Sequence, residues 1–238
     1  MSGGDDEILA RIIDLVAELR PDQSGRVKLP TERALAEMMD VQRPTVRERL
    51  TVLETLGFIR RAQGSGTYLS LPRSGFVQFY FEIALKLGYI AVDDLQQAME
   101  MIGREMASAA AISATAEDLA AIDAVIDEIA AAGSGEALVE GQFAFHLAMA
   151  RACRNPVILL VIEALAVVLR EVLMRRTTLL QMVSGALDRN LDSHRAVIAA
   201  LREREPDLAR RAMEEHYWLW RREAAKVSML FVPENGTR

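Results

Sequence analysis

The sequence predicts a mainly α-helical chain, with an N-terminal winged helix-turn-helix domain followed by an all-helical bundle of about seven helices. Three observations support this fold class. Hydrophobic residues make up 51% of the chain and aromatic residues only 5%, a balance typical of helix-rich cores. Apolar residues recur at helical spacing in most segments, and only one pair of segments is typical of β-strands. The length of 238 residues suits one or two domains.

Three helices are predicted near the N-terminus. The first covers 5–20, where apolar residues recur at helical spacing. Thr31 fits the N-cap of the second helix, and a short turn at 40–42 separates this helix from the third. The third helix tolerates Pro44 in its first turn and ends at Gly57.

A β-hairpin is predicted directly after the third helix. Its strands are FIRRA, 58–62, and TYLS, 67–70, with QGSG between them as the turn. A short turn between two helices is the helix-turn-helix arrangement, and a following hairpin gives the winged variety. The stretch SLPRSG then marks a linker by its composition. We therefore expect domains at 1–70 and 76–230, a linker at 71–75 and a tail at 231–238.

The remainder of the chain is predicted to be helical throughout. Its breaks fall at glycines, at Thr115, at Pro206 and at the pair Asn155-Pro156, which fits an N-cap and the first helical position. The expected helices cover 76–88, 92–113, 116–132, 136–152, 156–183, 187–204 and 206–229.

Cysteine content and hydropathy indicate a cytoplasmic protein. The one cysteine, Cys153, rules out an internal disulfide and favours a reducing compartment. The N-terminus opens with acidic residues, unlike a secretory signal. The most apolar stretch, 156–169, contains Glu163 and is too short to span a bilayer. We therefore expect no membrane association.

The charge of the chain is unevenly distributed. Residues 26–73 carry nine basic and five acidic side chains, whereas the formal net charge of −6 lies entirely within 74–238. A basic first domain on an acidic protein is consistent with binding a polyanion there and repelling it elsewhere. The alternative is a solvated face with a chance imbalance, and charge alone does not decide between them.

Arginines are concentrated at the start of the third helix. In a helix-turn-helix domain the N-terminal end of the second helix of the motif meets base edges in the DNA major groove. Arg43 and Arg47 are four residues apart and point to the same side, with Thr45 between them. Arginine reads guanine by two hydrogen bonds, and threonine suits a phosphate or a thymine methyl group. We expect these three residues to contact an operator.

Further DNA contacts are predicted around this helix. Arg33 can reach the sugar-phosphate backbone, and Gln63 and Gly64 at the hairpin tip can approach the minor groove. The alternative is a surface helix with ordinary arginines. The complete order of helices and hairpin, with the arginines at the correct end, favours DNA binding.

The segment "LPTERALAEMMDVQRPTVRERLTVLETLGFIRRAQGSGTYL", from Leu29 to Leu69, resembles the DNA-binding domain of the GntR family of bacterial transcription regulators. The resemblance runs without gaps. It implies that the operator is contacted by Arg33, Arg43, Thr45, Arg47 and Gly64. Gln42 stands where the family often has serine or threonine, which leaves the base preference at that point open.

Three histidines in the second domain form a candidate ligand site. His194 and His216 are equidistant from Glu205, so an antiparallel helical hairpin places both roughly 16 Å from its turn. His146 lies on the helix 136–152 with Gln142 one turn earlier on the same face. Three neutral imidazoles suit Zn²⁺, Ni²⁺ or a similar divalent ion. The alternative is that each histidine is an ordinary buried residue.

Four fragments of the second domain, AAISATAEDL, FHLAMARACRNP, SHRAVIAAL and DLARRAMEEH, resemble the FCD effector domain of the FadR-type subfamily. Many such domains bind a divalent metal through one aspartate and three histidines. The resemblance assigns these histidines to His146, His194 and His216, but Gln142 replaces the aspartate. Two possibilities follow. A metal is held by the histidines and a carboxylate effector completes its coordination, or the metal is lost and the histidines bind the effector directly.

The segment MEMIG, 99–103, departs from the same resemblance. The family often has an arginine and a glutamate there, with the arginine near the ligand, and this chain has Met99 and Gly103 instead. Arg170 or Arg175 is the candidate replacement cation. For both of them a solvated helix face is the competing interpretation.

Together these observations predict a ligand-responsive transcription regulator. We expect a homodimer that binds a double-stranded DNA operator, and a repressor that a small carboxylate releases. Two alternatives remain open at this point. One is a helical metal-dependent enzyme with its ion at the three histidines, and the other is a constitutive architectural DNA-binding protein.

Overall fold

The computed structural model of the chain describes residues 3–22, 25–70, 74–132, 135–170, 173–174, 177–178 and 183–230. Ten helices and two strands are assigned within these ranges. The chain divides into two compact units, Met1–Phe76 and Val77–Arg238, each with its own hydrophobic core. The predicted linker positions 71–73 and the predicted tail, 231–238, lie outside the described residues.

The first unit has the predicted order of three helices and a hairpin, which confirms this part of the fold class. Its elements are α1 (Gly3–Glu18), α2 (Glu32–Met39), α3 (Arg43–Thr55), β1 (Ile59–Ala62) and β2 (Gly66–Leu69). The helices enclose a small core that includes Ile12, Leu35, Val46, Leu50 and Ile59.

The turn between α2 and α3 is defined by its caps. The hydroxyl of Thr31 accepts a hydrogen bond from the backbone N–H of Ala34, as expected of an N-cap. Asp40 ends α2 in the left-handed conformation at φ +56°, which turns the chain sharply. The N-cap of α3 is Gln42, whose side chain makes no capping hydrogen bond. The first N–H groups of α3 therefore have no side-chain acceptor from Gln42.

The hairpin carries an additional pairing that the sequence did not indicate. β1 and β2 are antiparallel, with Ile59 opposite Leu69 and Gly64 in the left-handed region at the turn. Beyond these strands, the N–H of Leu29 donates to the Thr67 carbonyl oxygen and the N–H of Leu69 donates to that of Val27, each at 2.8 Å. The segment before α2 thus extends the wing.

The second unit consists of helices joined by short turns, with no strand among its described residues, as predicted. Its elements are α4 (Gly75–Lys86), α5 (Val92–Ser113), α6 (Ala116–Ala132), α7 (Gly135–Ala152), α8 (Pro156–Val168), α9 (Ala186–Arg202) and α10 (Pro206–Leu230). α8 is capped at Leu169, whereas one helix was expected over 156–183. Residues 173–174 and 177–178 are also helical, and the intervening positions lie outside the described residues. No helix in the described ranges has the combination of length and apolarity that a membrane span requires.

The α9–α10 hairpin is fixed by the residue at its turn. Arg204 has a positive φ of +59°, and its guanidinium donates to the carbonyl oxygens of Ala111 (3.3 Å) and Ala114 (2.6 Å) at the end of α5. This contact anchors the turn to α5 and so fixes where the α9–α10 hairpin begins. Phe145 on α7 is fully buried in the hydrophobic core of the second unit.

α4 presents an apolar face to solvent. Ala84 is the one residue of α4 assigned as buried, while 58% of Phe79, 62% of Tyr80 and 41% of Ile83 are exposed. The exposed positions lie three and four residues apart, so they form one stripe along the helix. We call Phe79, Tyr80, Ile83 and Leu87 the α4 stripe.

Candidate functional site

The first arginine pair of α3 is held by a carboxylate from α2. Arg43 begins α3 and Arg47 follows one turn later, and both side chains are exposed. The Arg47 guanidinium donates to Glu32 Oε2 at 3.1 Å, and Arg43 Nη2 lies 3.9 Å from the same oxygen. The structure therefore brings the two predicted base-reading residues together, and it adds Glu32, which sequence reasoning did not single out.

The other predicted DNA-contacting residues also lie on the surface of the first unit. Arg33 is exposed and forms an ion pair with Glu37 at 3.6 Å. Gln42 is exposed before α3, and Thr45 is half-buried within the first turn of that helix. Gln63 and Gly64 are exposed in the turn between β1 and β2.

Arg61 connects the wing to α3. Its guanidinium donates to the Arg47 carbonyl oxygen at 3.2 Å and to the Thr51 hydroxyl at 3.1 Å, and it pairs with Glu54 at 3.3 Å. Arg61 was counted only as part of the basic patch in the sequence. Its contacts hold β1 against the middle of α3, which fixes the wing relative to the arginines.

The three histidines of the second unit form one buried cluster. The ring centroids of His194 and His216 are 4.5 Å apart, and those of His146 and His216 are 5.6 Å apart. His194 and His216 are fully buried, and His146 is 5% exposed. The Phe145 ring lies against all three imidazoles, at 4.4 Å from His194. Helices α7, α9 and α10 each contribute one histidine.

Hydrogen bonds fix the tautomers of two of these rings. Nδ1 of His194 lies 2.8 Å from the carbonyl oxygen of Asn190, which can only accept, so Nδ1 carries the hydrogen. The Ser193 hydroxyl donates to that same carbonyl at 2.5 Å, so it accepts from Nδ1–H of His216 at 2.9 Å. In both rings Nε2 therefore holds the free lone pair.

Gln142 belongs to the same polar group. Its amide nitrogen donates to Asn190 Oδ1 at 2.6 Å, which leaves Gln142 Oε1 as a buried acceptor. Gln142 Oε1 and the Nε2 atoms of His194 and His216 have no hydrogen-bond donor within the described part of the chain. A buried acceptor without a partner costs about 1–3 kcal/mol. Three such acceptors on neighbouring helices indicate a site that a cation or a donor-bearing ligand would stabilise.

Burial keeps the histidines neutral. It lowers the pKa of His146 to about 3, with repulsion from His194 adding to the effect, and it lowers the pKa of His194 to about 4. The pKa of His216 also falls well below its usual value, because of burial and then repulsion from the other imidazoles. Neutral imidazole is the form that binds metal ions.

The donor chemistry of this cluster fits a divalent ion, although the side chains are not arranged as a ready ligand set. Two Nε2 lone pairs and one amide oxygen are buried and unsatisfied, which suits Zn²⁺ or Ni²⁺. Among the described residues, no group of three or more His, Cys, Asp or Glu side chains is positioned to hold a metal. The orphaned acceptors support a cation site, and holding the ion requires the side chains to adjust.

A pocket opens next to the cluster. Its empty volume, with the open mouth included, is about 550 Å³. Its described lining includes Gln142, His146, His216 and Trp220, together with the ion pair between Glu100 and Arg221, whose charged atoms lie 2.8 Å apart. A mostly apolar lining with a few polar and charged side chains suits a small organic molecule.

Neither arginine that the sequence suggested as the pocket cation is found among the described residues lining the pocket. Arg170 forms ion pairs with Glu140 and Glu136 on an exposed surface, and it is not among the described residues that line the pocket. Arg175 lies outside the described residues. The pocket cation in the described structure is Arg221, which sequence reasoning missed because nothing in its local pattern distinguishes it from a surface arginine.

Met99 and Gly103, the two departures on α5, also lie at this site. Met99 lines the pocket. A Cβ atom on residue 103 would approach the Tyr217 hydroxyl to 2.2 Å, so only glycine leaves room for that ring. Tyr217 stacks on His146 and places its hydroxyl 3.4 Å from His146 Nδ1. Burial, and then the Glu100 charge, raises the pKa of Tyr217, so the phenol stays protonated.

Comparisons with known proteins match both domains of the chain. The family of bacterial regulatory proteins named gntR matches residues 6–69, and the FCD domain matches residues 94–218. The chain is 30% identical over 216 residues to the HTH-type transcriptional regulator YcbG of Bacillus subtilis, covering 88% of this chain and 85% of that protein. It is 34% identical over 153 residues to the Uxu operon transcriptional regulator of Escherichia coli, covering 63% of this chain and 58% of that protein.

A solved structure shares the fold. The GntR protein of Streptococcus agalactiae aligns with a TM-score of 0.66 at 24% sequence identity, covering 92% of this chain and 99% of that one. The arginine-bearing winged domain and the histidine-bearing helical unit thus have the family's order along the chain. The chain belongs to the GntR family of bacterial transcription regulators, in the FadR-type subfamily whose second domain is an FCD effector domain.

Proposed function

We propose that the protein is a cytoplasmic, dimeric repressor that binds an operator through α3 and is released when a small carboxylate binds beside the histidine cluster. The observation that carries this proposal is the pocket itself. Two buried, neutral imidazoles, His146 and His216, line it together with the guanidinium of Arg221. An effector changes operator affinity only if it binds the DNA-competent arrangement and the released arrangement with different affinities.

DNA reading is assigned to the first unit. Arg43 and Arg47 contact base edges, with Thr45 and Gln42 beside them, and Arg33 contacts the phosphate backbone. Gln63 and Gly64 approach the minor groove from the wing. The support is their exposure on one small domain, together with the position of Arg43 at the first residue of α3.

A divalent ion is assigned to the histidine cluster. His146, His194 and His216 would hold it, with Gln142 in the position of a fourth, neutral ligand. A bound ion would supply Lewis-acid binding of a carboxylate oxygen. The Nδ1–H tautomers of His194 and His216, set by Asn190 and Ser193, leave the Nε2 lone pairs of both rings free and so favour this assignment.

Direct binding of the effector to the histidines is the second candidate. The absence of a ready set of three His, Cys, Asp or Glu ligands in the described ranges favours it. In that case the orphaned acceptors would take hydrogen bonds from hydroxyl or amide groups of the effector. The two candidates differ in whether acid binding needs added metal.

The dimer is assigned to the α4 stripe. A helix-turn-helix regulator reads a two-fold operator with half-sites about one turn, ~10 bp, apart, and this requires two copies of the chain. The α4 stripe, with Phe79, Tyr80 and Leu87 each more than half exposed, offers a second copy the apolar face that an isologous interface needs. Contact through α4 would set the spacing of the two DNA-binding domains.

One set of measurements separates these functions. Thermal-shift screening of organic acids, with and without Zn²⁺ or Ni²⁺, is combined with metal analysis and with DNA-shift assays on an operator selected from random duplexes. The proposal predicts that an acid raises the melting temperature and weakens operator binding. His194→Ala should remove bound metal. Acid binding that is unaffected by a chelator supports direct histidine binding instead.

The same measurements test the other classes of protein. Turnover of a bound acid by the metal-loaded protein would favour the enzyme. Operator affinity that no acid in the panel changes would favour the architectural DNA-binding protein.

The dimer proposal has its own test. Tyr80→Glu should convert the dimer to a monomer in light scattering and weaken operator binding, because it places a charge within the stripe. Ile112→Glu is the matched control, since Ile112 is 72% exposed and lies on α5, outside the α4 stripe. Equal masses for both variants and the wild type would contradict the assignment.

A further inference from the structure

We propose that Arg221 binds the carboxylate group of the effector and that Glu100 is the internal counter-ion it exchanges for that group. This inference rests on the proposed function, because it assigns one residue of the effector pocket. It goes beyond that function by identifying the cation and by predicting a competitor built into the chain.

The geometry places this ion pair in the pocket. Arg221 Nη1 lies 2.8 Å from Glu100 Oε2, joining α10 to α5. Both residues line the pocket with His146, His216 and Trp220. In the described lining, Arg221 is the one cationic side chain and Glu100 the one acidic side chain, since the histidines are neutral.

Exposure distinguishes the two partners. The Arg221 side chain is 54% exposed, whereas the Glu100 side chain is 16% exposed. A guanidinium presents several donors in one plane and can hold a carboxylate by two parallel hydrogen bonds. The exposed part of Arg221 can therefore meet a ligand that enters through the pocket mouth.

Glu100 has the same functional group as the expected ligand. It keeps Arg221 neutralised before a ligand arrives, and it repels any second carboxylate that enters. An acid that binds Arg221 must therefore displace Glu100 or share the guanidinium with it. Arg104 lines an adjoining cavity together with Glu100 and Arg221, so a second cation is close to the displaced carboxylate.

The two members of the pair should therefore act with opposite sign. Removing the arginine charge should weaken acid binding, while removing the glutamate charge should strengthen it. A pair that served only to hold α5 against α10 would give the same sign for both substitutions. This difference in sign separates ligand recognition from a structural role.

The test measures acid binding to the 238-residue protein through tryptophan fluorescence, since Trp220 lines the pocket, with calorimetry as a second readout. The probes are acetate, L-lactate, succinate and gluconate, each with and without Zn²⁺, and the corresponding uncharged amides. The variants are Arg221→Gln and Glu100→Gln. Arg210→Gln is the matched control, because Arg210 joins the same two helices through Glu105 at 3.0 Å and does not line the pocket.

Arg221→Gln should weaken binding of the acids about tenfold or more, the scale of a hydrogen bond to a charged group. It should leave amide binding within about twofold. Glu100→Gln should tighten acid binding several-fold, and Arg210→Gln should change neither. Circular dichroism of each variant checks folding.

Acid binding by Arg221→Gln within twofold of the wild type would overturn the inference while leaving the proposed effector pocket intact. The same holds if Glu100→Gln weakens acid binding as Arg221→Gln does. A wild-type protein that binds none of the probe acids, with or without metal, would overturn both the inference and the proposed function.

Discussion

Residue 103 and Tyr217 fit together only because one of them has no side chain. A Cβ atom on Gly103 would lie 2.2 Å from the Tyr217 hydroxyl oxygen and 2.7 Å from a ring carbon. The space beside α5 is thus filled by a ring from α10. That ring stacks on His146 at an interplanar angle of 5°. Gly103 therefore controls, through Tyr217, the packing of His146, which is one of the candidate metal-binding residues.

Gly103→Ala should destabilise the second unit by about 1–3 kcal/mol, the usual cost of overpacking a core. Tyr217 must move, and its contact with His146 should be lost with it. Chemical denaturation measures the change. Gly75→Ala is the control, because a Cβ there meets nothing within 4 Å. Equal stability of Gly103→Ala and the wild type would show that Tyr217 moves without cost.

Ser193→Ala should weaken Zn²⁺ binding about tenfold, because a group that orients a metal-binding histidine typically contributes on this scale. The His216 Nδ1–H would lose its acceptor, and the ring would no longer favour one tautomer. Calorimetry gives the affinity, and nitrogen NMR of the imidazoles gives the tautomer in the metal-free protein.

Ser113→Ala is the matched control for this prediction, because the Ser113 hydroxyl donates to the carbonyl oxygens of Ala109 and Ala152 and is not the acceptor of a histidine N–H. Unchanged imidazole spectra in Ser193→Ala would refute the tautomer assignment, whether or not Zn²⁺ binds.

The chelator-treated protein should lose stability as the pH falls below about 6.5. Folding lowers the pKa of His146 to about 3 and that of His194 to about 4. Between these values and 6.5, the histidines are protonated in the unfolded chain and neutral in the folded chain. Stability is therefore full above the unfolded pKa of 6.5 and is lost as the pH falls toward the folded values. Each histidine contributes a slope of about 1.4 kcal/mol per pH unit in this window.

His194→Asn tests the pH prediction because its amide keeps a donor near Nδ1 but does not titrate. Urea denaturation between pH 4 and pH 7 covers the folded and unfolded pKa values of His194. Over this range the free energy of unfolding should change less steeply with pH in the variant than in the wild type. The slope does not depend on how much the substitution itself destabilises the protein. Identical slopes would contradict the prediction.

Arg43→Ala should lower operator affinity by about 1–3 kcal/mol and relax the preference at one base position. Arg33→Ala should instead weaken binding to all duplexes alike, because it removes a phosphate contact. Fluorescence anisotropy with the selected operator and with single-base variants distinguishes the two. Arg202→Ala, which breaks an ion pair with Asp123 in the second unit, should leave DNA affinity unchanged.

Local pattern was sufficient to predict the order of the elements and the position of the principal candidates. Helical periodicity, the Thr31 cap and the hairpin each depend on neighbouring residues, and the structure has them where the sequence predicts them. The equal distance of His194 and His216 from Glu205 is also a property of the sequence, and their rings lie 4.5 Å apart.

The contacts that tune these sites could not be predicted in the same way. Glu32 meets Arg47 only because α2 packs against α3, and Asn190 orients Gln142 across two helices. Arg221 and Glu100 are separated by most of the second unit in the sequence. Such pairs follow from how helices pack, and a single sequence without packing information contains no signal for them.

In the DNA-free protein, the Glu32 carboxylate pairs with Arg43 and Arg47 as a DNA phosphate would. Because this carboxylate already engages Arg43 and Arg47, the DNA contacts proposed for these residues require their guanidinium groups to leave it. That penalty is the same for cognate and random sequence, so it leaves discrimination between them untouched. It does shorten the time spent on each wrong site. Since a genome presents about a million or more such sites, we expect Glu32 to speed the search and to leave a larger pool of regulator free to find its operator.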